Sequence, residues 1–447
     1  MRKLVLGFVL VGLATQAFAQ SAPEPDRESL LNGLRILFWQ QPGNPNVLLK
    51  LRIHSGAAFD LAGKTGMMAL LGDALFSDPA TREYVTEELG GKLEVRTTYD
   101  AIDVTMSGKA SSLERMIDLL RGAVLTTQLD TETVTRLREA RIARLAKVPS
   151  PAEIADAAIA TRLFGSFPYA HSPEGTPETV AKVDRADLLL ARQRFLNADN
   201  ASLAVIGGVE KPRLMRALRQ LLGPWGKSDS TVPPTFRLPP APDARVLLLN
   251  KPGESRAEIR VAVRGLSRAD KNSMAADLLA IIIRNRWQRA VPDLNNASVR
   301  HEAHLLPGMF VLGGSVPAAS ASKAVTAAQQ IMAALAQTAP AADEVDAARG
   351  EFLARVSKQM AEPEGLAESW LDVDTFKLSR PNSIFSTSIT SGDLQHAAAR
   401  LFKDASVATV VVGNSEELKS AFAGKVEMAG DSSRRTNLDP GVQLRKP

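Results

Sequence analysis

Residues 34–53 read LRILFWQQPGNPNVLLKLRI, and residues 244–263 read ARVLLLNKPGESRAEIRVAV. Each is an apolar run, a Pro-Gly pair, and a second run in which apolar residues recur. The Pro-Gly pair suits a tight turn, and alternation gives a strand one face to bury. Both stretches therefore predict strand, turn, strand. The turns, Pro42-Gly43 and Pro252-Gly253, lie 210 residues apart.

Working outward, the two neighbourhoods keep the same order. Helical stretches follow at 66–76 and 274–289, then strands within 93–107 and 298–316. A helix starts near Ser112 and near Ser322, and another covers 131–145 and 343–356. Short apolar strands ending in glycine close each half, at 201–207 and 405–413. Agreement of order and offset at so many landmarks points to a duplicated α+β unit. In each unit the alternating strands make a mostly antiparallel sheet with a face to cover, and amphipathic helices cover it.

A chain of 447 residues suits two domains of this size. With 45% hydrophobic and 23% charged residues, each half can bury a core without staples. There are no cysteines, which excludes disulfides, thiol chemistry and cysteine-bound metals. The formal charge of +5 is modest, and no Lys/Arg stripe with interleaved aromatics argues for nucleic acid.

Arg2 and Lys3, the apolar run 4–13 and Ala17-Phe18-Ala19 read as a secretory leader. The run is too short to span a bilayer, so the expectation is a chain with no transmembrane anchor after cleavage, in a bacterial periplasm. The expected organisation is a leader at 1–19, a domain at 28–225, a Pro-rich linker at 226–243, a second domain at 244–425 and a polar, disordered tail at 430–447. The linker carries Pro233, Pro234, Pro239, Pro240 and Pro242, which oppose regular structure.

Ser55-Gly56-Ala57-Ala58, Gly63-Lys64-Thr65-Gly66, Leu70-Leu71 and Leu75-Phe76 resemble the start of the M16 (insulinase and pitrilysin-like) zinc peptidases. In that family the pattern is S-G-S/A, then G-x-x-G-x-A-H-x-L-E-H-x-x-F. Further matches follow in order: Leu89-Gly90-Gly91 before a strand, Phe167-Pro168-Tyr169 leading to Gly175-Thr176-Pro177-Glu178, Asn200-Ala201-Ser202-Leu203 leading to Gly207-Gly208, and Trp225 at the end of the domain. The resemblance covers about residues 28–420. It implies two homologous domains of the M16/LuxS-like metallopeptidase fold.

In H-x-x-E-H, two histidines four apart on one helix face hold zinc, the Glu acts as general base, and a Glu from a later helix completes the site. Aligned on Gly63, Gly66 and Phe76, the first His position is Ala69, the Glu is Gly72 and the second His is Asp73. The distal Glu falls within a residue or two of Ala143, with Glu139 and Glu153 the nearest carboxylates. One carboxylate with no imidazole is far short of three protein ligands, and Gly72 offers no base. The resemblance therefore implies no metal and no zinc hydrolysis in this chain. His301-Glu302-Ala303-His304 falls where a strand is expected, which turns residues three apart to opposite faces. His54 reads as structural and His171 as a solvated loop residue.

In active members an Arg and, seven residues later, a Tyr from the second domain reach toward substrate. Arg289 fits the first, and Asn296 stands at the second as a neutral hydrogen-bond donor. These are the candidate substrate-binding residues. The resemblance further implies a metal-free subunit that pairs with a catalytic, zinc-binding M16 peptidase as a heterodimer and completes its chamber for peptide or unfolded polypeptide. The alternative is a peptide-binding or envelope-complex assembly protein without a protease partner. A metalloendopeptidase with a rebuilt site is the third reading, and it lacks visible ligands.

Overall fold

The computed structural model describes residues 23–228, 236–381, 388–422 and 426–428. The expected leader, the tail and part of the linker lie outside the described residues.

The first half runs β1 (Asp26–Ser29), β2 (Arg35–Gln40), β3 (Asn46–Ile53), α1 (Met67–Leu75), α2 (Pro79–Glu87), β4 (Leu93–Thr97), β5 (Ile102–Lys109), α3 (Leu113–Leu125) and α4 (Thr131–Leu145). It continues with α5 (Pro151–Phe164), α6 (Pro177–Val180), α7 (Arg185–Phe195), β6 (Ala201–Gly207) and α8 (Lys211–Leu221). The second half repeats the order without a counterpart of α2 or α6: β7 (Val246–Asn250), β8 (Arg256–Arg264), α9 (Ser273–Ala290), β9 (Asn295–Glu302), β10 (Met309–Pro317), α10 (Ala321–Gln337) and α11 (Ala342–Ala361). Then come α12 (Pro363–Phe376), α13 (Ser391–Phe402), β11 (Ala408–Gly413), α14 (Ser415–Ala421) and β12 (Val426–Met428).

The two sheets have the orders β1-β2-β6-β3-β5-β4 and β12-β7-β11-β8-β10-β9. Five strands correspond one to one. The sixth differs: β1 pairs antiparallel with β2, whereas β12 pairs parallel with β7. With β2–β6 and β7–β11 also parallel, both sheets are mixed. The α+β repeat expected from the sequence is the observed architecture.

Alternation along β3 sets the packing. Val47, Leu49, Leu51 and Ile53 face a core built with α1, α3, α4, α7 and α8. Leu48, Lys50 and Arg52 face the other way. The same register recurs in β8, where Ile259, Val261 and Val263 face the second core, and Arg260 and Ala262 face out of it.

Both second faces are covered, each by a helix from the opposite half. Helix α12 lays Leu366, Ala367, Trp370, Leu371 and Val373 against Leu37, Trp39, Leu48, Ala204 and Ile206 of the first sheet. Helix α5 lays Ala155, Ile159, Leu163 and Phe164 against Ala262, Met309, Val311, Val410 and Val412 of the second. Both helices open with Pro at their first position, where its missing N–H costs no bond.

Buried charges accompany the exchange. Lys50 pairs with Glu368 on α12, and Arg260 pairs with Asp156 on α5 at 2.7 Å. Lys50 and Arg260 hold the same place in the repeat, and Glu368 and Asp156 each stand five residues after the opening proline of their helix. Arg52 joins Asp103 at 2.7 Å, Asp372 at 2.6 Å and Glu368. Burial opposes its charge, but these carboxylates outweigh that and hold the guanidinium protonated. His54, buried beside Arg35, Arg52 and Lys377, is driven well below the usual imidazole range and stays neutral. Its ring nitrogens lie 3.0 Å from Thr375 Oγ1 and 2.9 Å from Ser202 Oγ.

The site at helix α1

Helix α1 is almost wholly buried, with Asp73 its one half-buried position. Its start is fixed by Asp60, whose carboxylate accepts the N–H of Gly66 at 2.6 Å and of Met68 at 2.8 Å. Burial pushes the Asp60 carboxyl up to about 7, against those two bonds and the nearby Arg141 charge. Gly66 has a φ of +89°, and a Cβ there would meet Glu174 O at 2.6 Å. That close approach brings the loop carrying Glu174 against the start of α1.

Helix α4 faces α1 with the stripe Val134, Leu137 and Arg141. Arg141 is 3% exposed and lies across the positions that the family uses for metal. Its Nε is 2.9 Å and its Nη2 is 2.7 Å from Asp73 Oδ2. Nη2 also donates to Ala69 O at 2.9 Å, and Nη1 donates to Glu174 Oε2 at 2.5 Å. Arg144 adds a second, exposed cation, 3.6 Å from Asp73 and 3.5 Å from Glu174. Ala143 is exposed, so the α4 residue that looks at Ala69 and Asp73 is Arg141, two positions earlier. Glu139 and Glu153 are exposed as well. Gly72 sits against β4, where a Cβ would come 2.9 Å from Thr97 Oγ1.

This arrangement does not fit zinc. A guanidinium has five donors and no lone pair to give, and it stays charged at any ordinary pH. It takes up the carboxylate that a metal would need and places a fixed positive charge where a dication would sit. Among the described residues, no three His, Asp or Glu side chains gather as a metal site. The site is a structural ion cluster tying α1, α4 and the Glu174 loop together.

The other histidines are tied elsewhere. His301, on β9, is buried with Nδ1 2.9 Å from Asp277 and Nε2 accepting the N–H of Leu266. His304 lies beyond the strand end, with Nδ1 3.0 Å from Asp100 and its ring between Tyr99 and Tyr169. Asp100 also accepts from Tyr169 Oη and Leu305 N, so this cluster joins the halves. His171, expected in solvent, is half-buried and its own carbonyl oxygen accepts from Tyr99 Oη at 2.7 Å, because the Phe167-Pro168-Tyr169 turn folds back over α5.

Arg289 ends α9 with its side chain 68% exposed and donates to Glu344 at 3.1 Å. Asn296, exposed on β9, has a φ of +52° close to the irregular pairing of β9 with β10. No hydrogen bond joins either residue to α1 or β4 among the described residues. Among the described residues, strand β4, beside α1, is the outer strand of its sheet and pairs only with β5. Such an edge can accept an added extended strand.

Sequence reasoning missed Arg141 and Glu174. Arg141 had a signal, since it falls four residues after Leu137 on an otherwise apolar stripe. Glu174 had none, because its place depends on the approach of two loops.

Residues 182–352 match the family profile described as the peptidase M16 inactive domain. Subunit 1 of the mitochondrial cytochrome b-c1 complex of Bos taurus is 26% identical over 282 residues, covering 61% of this chain and 58% of that protein. The chain thus spans less than two thirds of that relative's length. The solved M16 inactive domain from Pseudomonas fluorescens superposes with a TM-score of 0.76 at 17% identity, covering 88% of this chain and 98% of that one. A protease from Helicobacter pylori superposes with a TM-score of 0.78 at 15% identity, covering 87% and 99%. At those identities the likeness is one of fold. Residues 182–352 thus match the inactive-domain profile, and the chain as a whole has the M16 peptidase fold, with an arginine-centred ion cluster at the positions of helix α1 where that family's motif places its metal ligands.

Proposed function

We propose that the chain acts in the periplasm as a non-catalytic M16 subunit that pairs with a zinc-binding M16 peptidase and completes its peptide-binding chamber. The observation that carries this reading is the Arg141 cluster beside a free sheet edge. An ion cluster around the buried Arg141 stands where the hydrolytic groups of the family's motif would be, while among the described residues β4 keeps an unpaired strand edge next to it. Extended peptide would pair with that edge through main-chain hydrogen bonds. Arg289 and Asn296, on the second half, are the groups proposed to meet the peptide from the other side.

The test is purification from the native periplasm followed by metal analysis of each chain. The expected result is a stable pair in which only the H-x-x-E-H subunit carries zinc. Stoichiometric zinc in the isolated mature chain, with cleavage of a peptide unaided, would refute the proposal.

The likeness to a cytochrome b-c1 complex subunit favours a second reading, an assembly or peptide-binding protein without a protease partner. Recovery of the chain as a lone peptide-binding species, or within a membrane complex that holds no peptidase, would favour it.

A further inference from the structure

Where the C-terminal end of α12 meets β1 and β2, a cavity of about 460 Å³ opens to solvent. Its walls carry four cations, Arg27, Arg35, Lys377 and Arg380, against two carboxylates, Glu24 and Asp374. Asp374 is shared: Arg35 lies 3.3 Å away, Arg27 lies 3.6 Å away, and the Ser202 hydroxyl donates to it at 2.7 Å. Lys377 forms no ion pair among the described residues. Burial and the Arg35 charge together hold its ammonium below the usual range. The apolar part of the wall is Trp370, Val373 and Leu378. The Trp370 indole N–H is buried and has no hydrogen-bond partner among the described residues.

Lys377 is also held in the left-handed region, at φ +56° and ψ +42°, as the C-cap of α12. Glycine suits that position best, because a side chain there is strained. The chain instead sets a cation there, facing a cavity already rich in positive charge. Four cations against two carboxylates, one of the cations held in a strained backbone conformation, line one opening, and an anion would offset the excess positive charge.

We propose that this cavity binds a carboxylate borne on an apolar group, of the kind presented by the free C-terminal end of a peptide. The cations would take the carboxylate, and Trp370, Val373 and Leu378 would take the apolar side chain. The volume exceeds what a bare inorganic anion fills. This proposal does not rest on the pairing with a catalytic subunit.

The test is calorimetric titration of the full mature chain with N-acetyl-leucyl-phenylalanine, with its C-terminal amide and with inorganic phosphate. The acid is expected to bind, and the amide to bind at least tenfold more weakly. Phosphate should also bind more weakly than the acid, lacking the apolar group. The variant Lys377→Gly should melt at a higher temperature than the parent, having lost the strain, and yet bind the acid at least tenfold more weakly. Equal binding of acid and amide overturns the proposal, as does undiminished binding by Lys377→Gly. Binding of phosphate without the acid also overturns it, as does no binding of either at millimolar concentration.

Discussion

Replacing Arg141 by methionine tests whether the guanidinium really holds the α1 site together. Methionine keeps the buried stem and removes every polar contact. Asp73 and Glu174 then lose their main partner, and Ala69 O loses a donor. Breaking a fully buried pair from one side costs about 3–5 kcal/mol. Here the Asp73 and Glu174 side chains are 23% and 44% exposed, and Arg144 remains 3.6 Å from Asp73. Water and Arg144 recover part of the loss, which leaves about 2–3 kcal/mol. Urea unfolding followed by circular dichroism measures this as a lowered midpoint at constant slope. A change below about 0.5 kcal/mol, the scale of an ordinary surface substitution, would refute the assignment. A second arm grafts the family's motif as Ala69→His, Gly72→Glu and Asp73→His. With Arg141 in place the graft should take up no stoichiometric zinc, and the Gly72 change should also force Thr97 aside. Full zinc occupancy with Arg141 retained would show that the arginine does not exclude the metal.

The exchanged helices predict coupled ion pairs. Double-mutant cycles on Arg260→Met with Asp156→Asn, and on Lys50→Met with Glu368→Gln, should each give a coupling of about 1–2 kcal/mol in urea titrations; additive effects would mean that the pairs are ornamental. Asp100→Ala removes the acceptor shared by His304, Tyr169 and Leu305 and should lower unfolding free energy by about 2–3 kcal/mol, with the loosened contact visible as faster amide exchange at 304–306. Asp60 has a folded-state pKa raised to about 7, so its protonated form is the one the fold favours. Its contribution is complete below the ordinary value of 3.8 and is lost as pH rises through about 7, so Asp60→Asn should flatten that part of a stability profile measured from pH 4 to 8.

The strands and the repeat were legible because alternation and turn residues are local. The Pro-Gly turns, the 131–145 helix and the 201–207 strand all stand where the pattern put them. Differences at element ends are small: the helix expected to stop at 356 runs to Ala361, and the apolar strand starts at Ala408 rather than 405. The destinations of α5 and α12 were not legible. Ser150 and Glu153 form a capping box that announces α5, but nothing local says which sheet a helix will cover. The buried charges Lys50, Arg52 and Arg260 carried that information, since a cation on a sheet face needs a partner from whatever lies on top of it. That Ala69, Gly72 and Asp73 stand at the motif positions was a reading of the resemblance. What filled the space was not legible, because Glu174 arrives from a loop 101 residues after Asp73.

The trading of α5 for α12 bears on where such a chain came from. A single half, made alone, would leave one broad side of its sheet bare, with Lys50 or Arg260 stranded on it. Two identical copies could have solved this by each lending the other its helix, long before one gene encoded both. The present protein then reads as two copies of one unit joined in a single polypeptide, each closing its sheet only with a helix lent by the other.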